Sequence, residues 1–423
     1  MKKMNLIKCL LALAISFTLV QCTSDDPIPG PAGAQGTAGV NGTNGINGID
    51  GGNVCLSCHN VDYKVVQPAT YALSDHATGT KVIVAGIVRE LHETRGGACN
   101  SCHNEQGYLE SIKRNHDISS FSGWIKPAES EMKKVSCTTC HSGGHASAAL
   151  AISGKDAALR SPEAFRLDQT TAGNRGAVAP AILAGTDIII DYKDNSNACI
   201  HCHQARRNAV TGLAPATANS SFSGIRAGQI AITTSTGPHY GVQSAMLEGI
   251  FGAEVAGTTA YPAKGTAVHR TGASCVKCHM GKAVNNKGNH TMMPVVDNCK
   301  TCHTGAGVVD YNINGGQTKI KNLRLELAEE LVRLKPAIFR IANYTGSKPF
   351  TAPNVFTDAT FSANQLTVIA TSSVDSRIPA DVRVAKGYWN WRFVYQDHSY
   401  GLHNPKYTEA LLKNTIADLK LLP

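Results

Sequence analysis

The sequence runs to 423 residues, long enough for two or three ordinary domains, with 17% charged and 6% aromatic residues, both modest for a globular chain. Its net charge of +9 excludes less than it suggests and does not call for a nucleic-acid partner. Lys2, Lys3 and Lys8 lie in a leader expected to be removed, which takes +9 to +6, and the acidic groups that the cysteines bring with them cancel the rest.

Met1 to Gln21 joins those basic residues to an apolar run from Leu10 to Val20. That is the pattern of a secretory signal peptide, too short to span a membrane as a helix. Cys9 leaves with it. Cys22 follows Leu19-Val20-Gln21, a stretch that resembles a bacterial lipoprotein cleavage box, although Gln21 is larger than the small residue usual there. Thr23-Ser24-Asp25-Asp26 is similar to the acidic lead-in of surface lipoproteins. The expectation is a lipid on Cys22 that anchors the chain to the outer membrane, at the cell surface; the alternative is ordinary cleavage with Cys22 as a free thiol. Gly30, Gly33, Gly36, Gly39, Gly42, Gly45, Gly48 and Gly51 then fall at every third residue, the collagen period. With only Pro31 to stiffen these triplets, residues 22–52 read as anchor and flexible spacer rather than a trimerising stalk.

From Asn53 to about Gly316 one pattern, Cys-x-x-Cys-His, occurs six times, at Cys55/Cys58/His59, Cys99/Cys102/His103, Cys137/Cys140/His141, Cys199/Cys202/His203, Cys275/Cys278/His279 and Cys299/Cys302/His303. This is the attachment spacing of c-type haem. Two thiols two residues apart reach the two vinyl groups of one porphyrin, and the next imidazole lies under the iron as its proximal ligand. The motifs use twelve of the fourteen cysteines. Zinc held by paired Cys-x-x-Cys hooks needs only thiolates and gives no reason for a histidine after each second cysteine. The cofactor reading is therefore six haem c. Twelve propionates against the single positive charge of each of six ferric cores give −6, which cancels the +6 of the mature chain; the Lys and Arg side chains read as propionate partners.

Haem also explains the scarcity of aromatic residues, since porphyrins supply an apolar core. The expected fold is mainly α with much irregular structure, wrapped around six haems, with short strands only and with helices mainly just after each motif. The runs Ile182 to Tyr192 and Gln229 to Thr234 read as loops or small hairpins. After His303 a helical period takes over. Ile320, Leu323, Leu327, Leu331 and Leu334 form one apolar stripe, which Pro336 should end. Phe350 to Pro379 reads as irregular with one strand at Gln365 to Thr371, Ala385 to Val394 as helical, and Asn404-Pro405 as the cap and first turn of a last helix ending near Leu421. The chain thus divides into 53–316, a hexahaem domain, and 317–423, a C-terminal helical region packing on it.

What a haem does depends on its sixth ligand: a second histidine makes a low-spin carrier, an open position allows chemistry. Ten histidines lie outside the proximal positions. His269 closely precedes Cys275, His290 precedes Cys299, and His145 follows His141 by four residues, so each reaches a neighbouring haem with little loop. His239 and His76 sit on turns or helix starts between motifs, and His403 lies just before the last helix cap. These six are the chosen distal ligands. His92 and His116 are reserves, His201 is too constrained to bind the iron of its own motif, and His398 reads as a surface or propionate contact. Met280, Met292 and Met293 read as packing.

The run from His269 through Cys275-Val-Lys-Cys278-His279-Met280 and His290 to Cys299-Lys-Thr-Cys302-His303 resembles the last two haems of ammonia-forming cytochrome c nitrite reductases and their multihaem relatives. That resemblance implies distal roles for His269 and His290. Asp397-His398-Ser399-Tyr400-Gly401-Leu402-His403-Asn404-Pro405 is similar to the C-terminal signature of that superfamily and implies a ligand at His403. The resemblance covers roughly residues 235 to 423. The pattern departs from the reductases in having no Cys-x-x-Cys-Lys haem, and in having Gln204-Ala205-Arg206-Arg207 where their substrate tyrosine follows a central motif. Cys202-His203-Gln204-Ala205-Arg206 and Gly237-Pro238-His239 instead resemble extracellular hexahaem electron-conducting cytochromes, some of which polymerise into filaments. The implied function is electron transfer at the cell surface to or from other redox proteins or external acceptors, with a homo-oligomer or filament in view. The alternative is a reductase of a small nitrogen or sulfur oxyanion at one five-coordinate haem, with Arg206 and Arg207 binding the anion.

Overall fold

The structure, a computed structural model, describes residues 69–79, 81–84, 87–90, 99–114, 127–128, 131–141, 159–167, 175–177, 188–205, 207–213, 227–228, 230–233, 236–304, 307–341, 366–368 and 378–423. The leader, the glycine repeat, the first motif with His59, and His92, His116, His145 and Arg206 lie outside the described residues. What is described is mainly helical with a few very short strands.

The first half is built of single turns. Helix α1 (Asp75–Thr78) starts at Ser74, whose hydroxyl accepts from the Ala77 amide, as an N-cap does. Strands β1 (Lys81–Val84) and β2 (Ile87–Glu90) pair antiparallel. Next come α2 (Asn100–His103), then α3 (Glu105–Lys113), capped by the Asn104 side chain, and α4 (Cys137–Cys140), which carries a full capping box from Ser136 and Thr139. Strand β3 (Phe165–Leu167) lies between β4 (Arg175–Ala177) and β5 (Ile188–Ile190) in one antiparallel sheet. Helix α5 (Asn197–Ile200) and helix α6 (Ala209–Gly212) follow.

Two expectations are corrected here. Helical turns lie on the motifs themselves rather than mainly after them. The run around Ile230 is not a hairpin either: β6 (Ile230–Ile232) pairs with a strand from the far end of the chain, Ile378–Ala380. Residues so distant in sequence share no local signal.

Helix α7 (Gln243–Glu248) ends at Gly249, whose φ of 69° is the left-handed cap conformation. Helices α8 (Val268–Gly272), α9 (Ser274–His279) and α10 (Val296–Cys299) carry the last two motifs. Helix α11 (Gly316–Leu334) buries Ile320, Leu327 and Leu331, with Leu323 and Leu334 packed beside them. It stops because Pro336 disfavours the helical region for the residue before it; Lys335 is at φ −138°, ψ 66°. Strands β7 (Phe339–Ile341) and β8 (Leu366–Val368) pair antiparallel, and β9 (Ile378–Ala380) is the partner of β6. Helix α12 (Val382–Asp397) is buried nearly all round through Val384, Tyr388, Trp389, Trp391, Phe393 and Val394, as befits a central helix. It packs against α11 and against α13 (Pro405–Lys420). One hydrophobic cluster runs from Phe165, Ile190, Ile200 and Met246 into all three of these helices.

Candidate haem-ligand pairs

Each described motif folds as a helical turn, which puts cysteines three residues apart on one face. The backbone N–H groups of His141, His203 and His303 donate to the carbonyl of their motif's first cysteine at 2.9, 3.0 and 2.8 Å. That bond sets the imidazole beside the two thiols. None of the ten described motif cysteines is in a disulfide, so each is available for thioether attachment. Cys55 and Cys58 lie outside the described residues.

The ring positions carry more. His203 faces His76 with ring centres 6.0 Å apart, His103 faces His239 at 6.4 Å, and His141 faces His290 at 6.2 Å. His303 faces His269 at 6.2 Å and His279 faces His403 at 6.3 Å. Each pair joins one motif histidine to one outside the motifs. Interplanar angles range from 30° to 70°, so no shared mode of aromatic packing explains the common distance. Two imidazoles on opposite faces of one metal, each bound at about 2.0 Å, place their ring centres about 6 Å apart. Spacing and composition together are those of bis-histidine ligation.

The far nitrogen of most rings is engaged. Nδ1 of His279, His239 and His269 meets the carbonyls of Met292 at 2.8 Å, of Tyr240 at 2.9 Å and of Leu402. Nδ1 of His203 meets Gln243 Oε1 at 3.1 Å and that of His290 meets Asn289 Oδ1 at 2.7 Å. His76 Nδ1 meets Met292 Sδ at 2.7 Å, and His403 Nδ1 donates to Asp397 Oδ1 at 2.7 Å. Such partners fix the tautomer and turn Nε2 towards a metal. Burial favours the neutral, ligating form: it holds His203, His279 and His290 below the usual imidazole range and, with nearby His203, takes His76 down to about 4. For His403 burial also pulls downward, but the Asp397 charge and hydrogen bond outweigh it and the pKa is raised.

Helix α11 cradles the loop that carries His403. Gln317 Nε2 donates to Ser399 O at 3.2 Å, and the Lys321 ammonium lies 4.1 Å from the centre of the Tyr400 ring. Gly401 has φ 91°, and a Cβ there would stand 2.7 Å from Ile320 Cγ1, so only glycine fits. His201 is buried edge-on against Phe165, with ring centres 4.6 Å apart. His398 stacks on Tyr240. Arg207 is exposed.

The pairs differ from the sequence expectation in reach. His290 faces motif 3 and not the motif it precedes, and His76 faces motif 4 across two intervening motifs. The Nδ1 partners Gln243, Met292 and Asp397 carry no pattern that would have singled them out.

Motifs also touch. The Cys199 thiol adjoins that of Cys275, and the Cys202 thiol adjoins that of Cys102. Ser196 accepts from the Val276 amide at 3.0 Å and meets the Ser274 hydroxyl at 3.2 Å. Asn298 donates to the Cys278 carbonyl at 3.1 Å, joining motifs 5 and 6. The partner thiol and burial raise the pKa of both Cys199 and Cys202, with a smaller contribution from Cys140. Motif 4 thus adjoins motifs 2 and 5, and motif 5 adjoins motif 6.

These residues fit haem c. Each imidazole pair would bind the iron of one haem, and the two thiols of the motif would attach its porphyrin. Among the described residues no three His, Cys, Asp or Glu side chains converge as the donor set of a bare ion would. The class is a multihaem c-type cytochrome. Residues 263–420, which include the last two motifs, match the family model of cytochrome c552. Among solved structures, the outer cell wall cytochrome OcwA aligns at 18% identity and a TM-score of 0.43, over 84% of this chain and 50% of that one; the chain spans half the length of that neighbour. None of the curated proteins matches.

Proposed function

We propose that the chain is a hexahaem electron-transfer protein of the cell surface, exchanging electrons with a partner cytochrome, a mineral or another external acceptor. The observation that carries this reading is the set of five ring pairs at 6.0 to 6.4 Å. Haem c supplies one-electron chemistry between Fe(III) and Fe(II). The chain's part is to hold each group from both faces, which fills the position a substrate would need. Cys55, Cys58 and His59 bind the sixth group, with His145 as its distal ligand. The motif contacts support a path from motif 2 to 4 to 5 to 6. Residues 53–316 form the haem domain and 317–423 the helical region that supplies His403. A lipid on Cys22 and the glycine-repeat spacer tether this unit to the outer membrane, where copies associate into oligomers or filaments.

Two measurements on purified full-length protein test this. A pyridine haemochrome assay should count six haems per chain. EPR of the oxidised protein should be purely low-spin, with no optical shift when carbon monoxide is added after reduction. A high-spin component that binds carbon monoxide would replace the carrier reading with that of a reductase.

A further inference from the structure

Asp397 ends helix α12 and is 2% exposed. Its Oδ1 accepts from His403 Nδ1 at 2.7 Å, and its Oδ2 accepts from the Ser399 hydroxyl. Ser399 Oγ in turn accepts from the His403 amide at 3.2 Å. The carboxylate is held at both oxygens, and its orientation follows that of the ring. Gln243 ties the same place to the next motif: its Nε2 donates to the carbonyls of Gln396 and Asp397 at 3.3 and 3.5 Å, while its Oε1 meets His203 Nδ1.

Of the seven paired rings whose Nδ1 partner is described, only His403 has a carboxylate. The others meet carbonyl or amide oxygens or a thioether. A neutral acceptor leaves the imidazole essentially neutral. A carboxylate draws on the Nδ1 proton, gives the ring imidazolate character and makes Nε2 a stronger donor. A stronger axial donor favours Fe(III) over Fe(II) and lowers the reduction potential.

We propose that Asp397 is a positioning residue that sets a low-potential step at the haem between His279 and His403, midway along the motif line. Electrons passing between motif 4 and motif 6 climb this step, so it regulates the flow through the chain. The inference rests on the ligand-pair reading of His279 and His403.

Optical potentiometry and EPR on the full-length holoprotein test it. Asp397→Asn should raise one transition, the lowest, by at least tenfold in its one-electron equilibrium, about 59 mV, and shift one low-spin EPR signal. The remaining transitions should stay in place. Ser399→Ala removes the hydroxyl that draws charge from Oδ2, so it should move the same transition downward. Opposite shifts at one haem are not what general loosening of the loop produces. Unmoved transitions in Asp397→Asn, or a fall, overturn the proposal. If that variant fails to assemble haem, Ser399→Ala decides alone, and no shift or a rise overturns it. His403→Ala separates the two claims. A high-spin signal there, with Asp397→Asn unmoved, removes only the role of Asp397; a spectrum still wholly low-spin removes the ligand pair itself.

Discussion

The imidazoles are held in place by what binds their far nitrogens, and this determines how each responds to mutation. His239 sits at φ 76° after Gly237-Pro238, with Nδ1 on the Tyr240 carbonyl; His76 is one residue inside a capped turn. Both rings come from short segments with little else to do. Replacing His76, His239, His269, His290 or His403 singly with Ala should leave the fold standing and open one iron. Each variant should show one high-spin haem that binds carbon monoxide, and a His76→Ala/His239→Ala double variant should show two. A single variant that stays low-spin would mean that its ring is not the ligand, and the pairing for that motif would fail. At this scale the proximal positions were legible because covalent attachment dictates a spacing. The distal candidates were legible by context, but not their partners. His290 and Cys299 are close in sequence, yet the ring lies against His141, because tertiary folding and not loop length decides which faces meet.

Helices carry the second layer. The stripe on α11 and its end before Pro336, and the Asn404-Pro405 start of α13, were readable because periodicity, caps and proline act locally. The pairing of β6 with β9 was not, and neither was the polar joint inside the three-helix core. Asn390, fully buried on α12, accepts from the Ala253 amide at 2.8 Å and donates to the Ala253 carbonyl at 2.9 Å and to Thr415 Oγ1 at 2.8 Å. It joins α12 both to the segment after α7 and to α13. Asn390→Leu would strand a buried amide and carbonyl, each costing about 1–3 kcal/mol. The expected loss is about 3 kcal/mol in a denaturant titration of the holoprotein. Thr415→Val removes two neutral bonds, the one accepted from Asn390 and the one donated to the Leu411 carbonyl at 2.6 Å, and should cost about 1–2 kcal/mol. An Asn390→Leu loss no larger than that would show that the bonds to Ala253 add nothing measurable.

Across the whole described chain, burial is uneven. Before Phe165 the buried hydrophobic side chains are Tyr108 and Met132; beyond it the cluster extends from Phe165 to Leu419. A buried apolar side chain contributes about 1.5–3 kcal/mol, whereas ordering each backbone residue costs about 1–2 kcal/mol. The described residues of 99–141 bury two such side chains, less than that cost asks of protein contacts. Porphyrins held by motifs 2 and 3 would supply further apolar contact. The helices α11, α12 and α13 have their own core, with Trp389, Trp391, Phe393, Tyr407 and Leu411 each at most 1% exposed. The chain produced without haem attachment should therefore be cut first between residues 99 and 141 under limited proteolysis, while a fragment containing residues 316–423 persists. The holoprotein should resist in both regions. Equal resistance of the two regions in the haem-free chain would mean that the first half is held by protein contacts, and that its motif turns are scaffold before they are ligands.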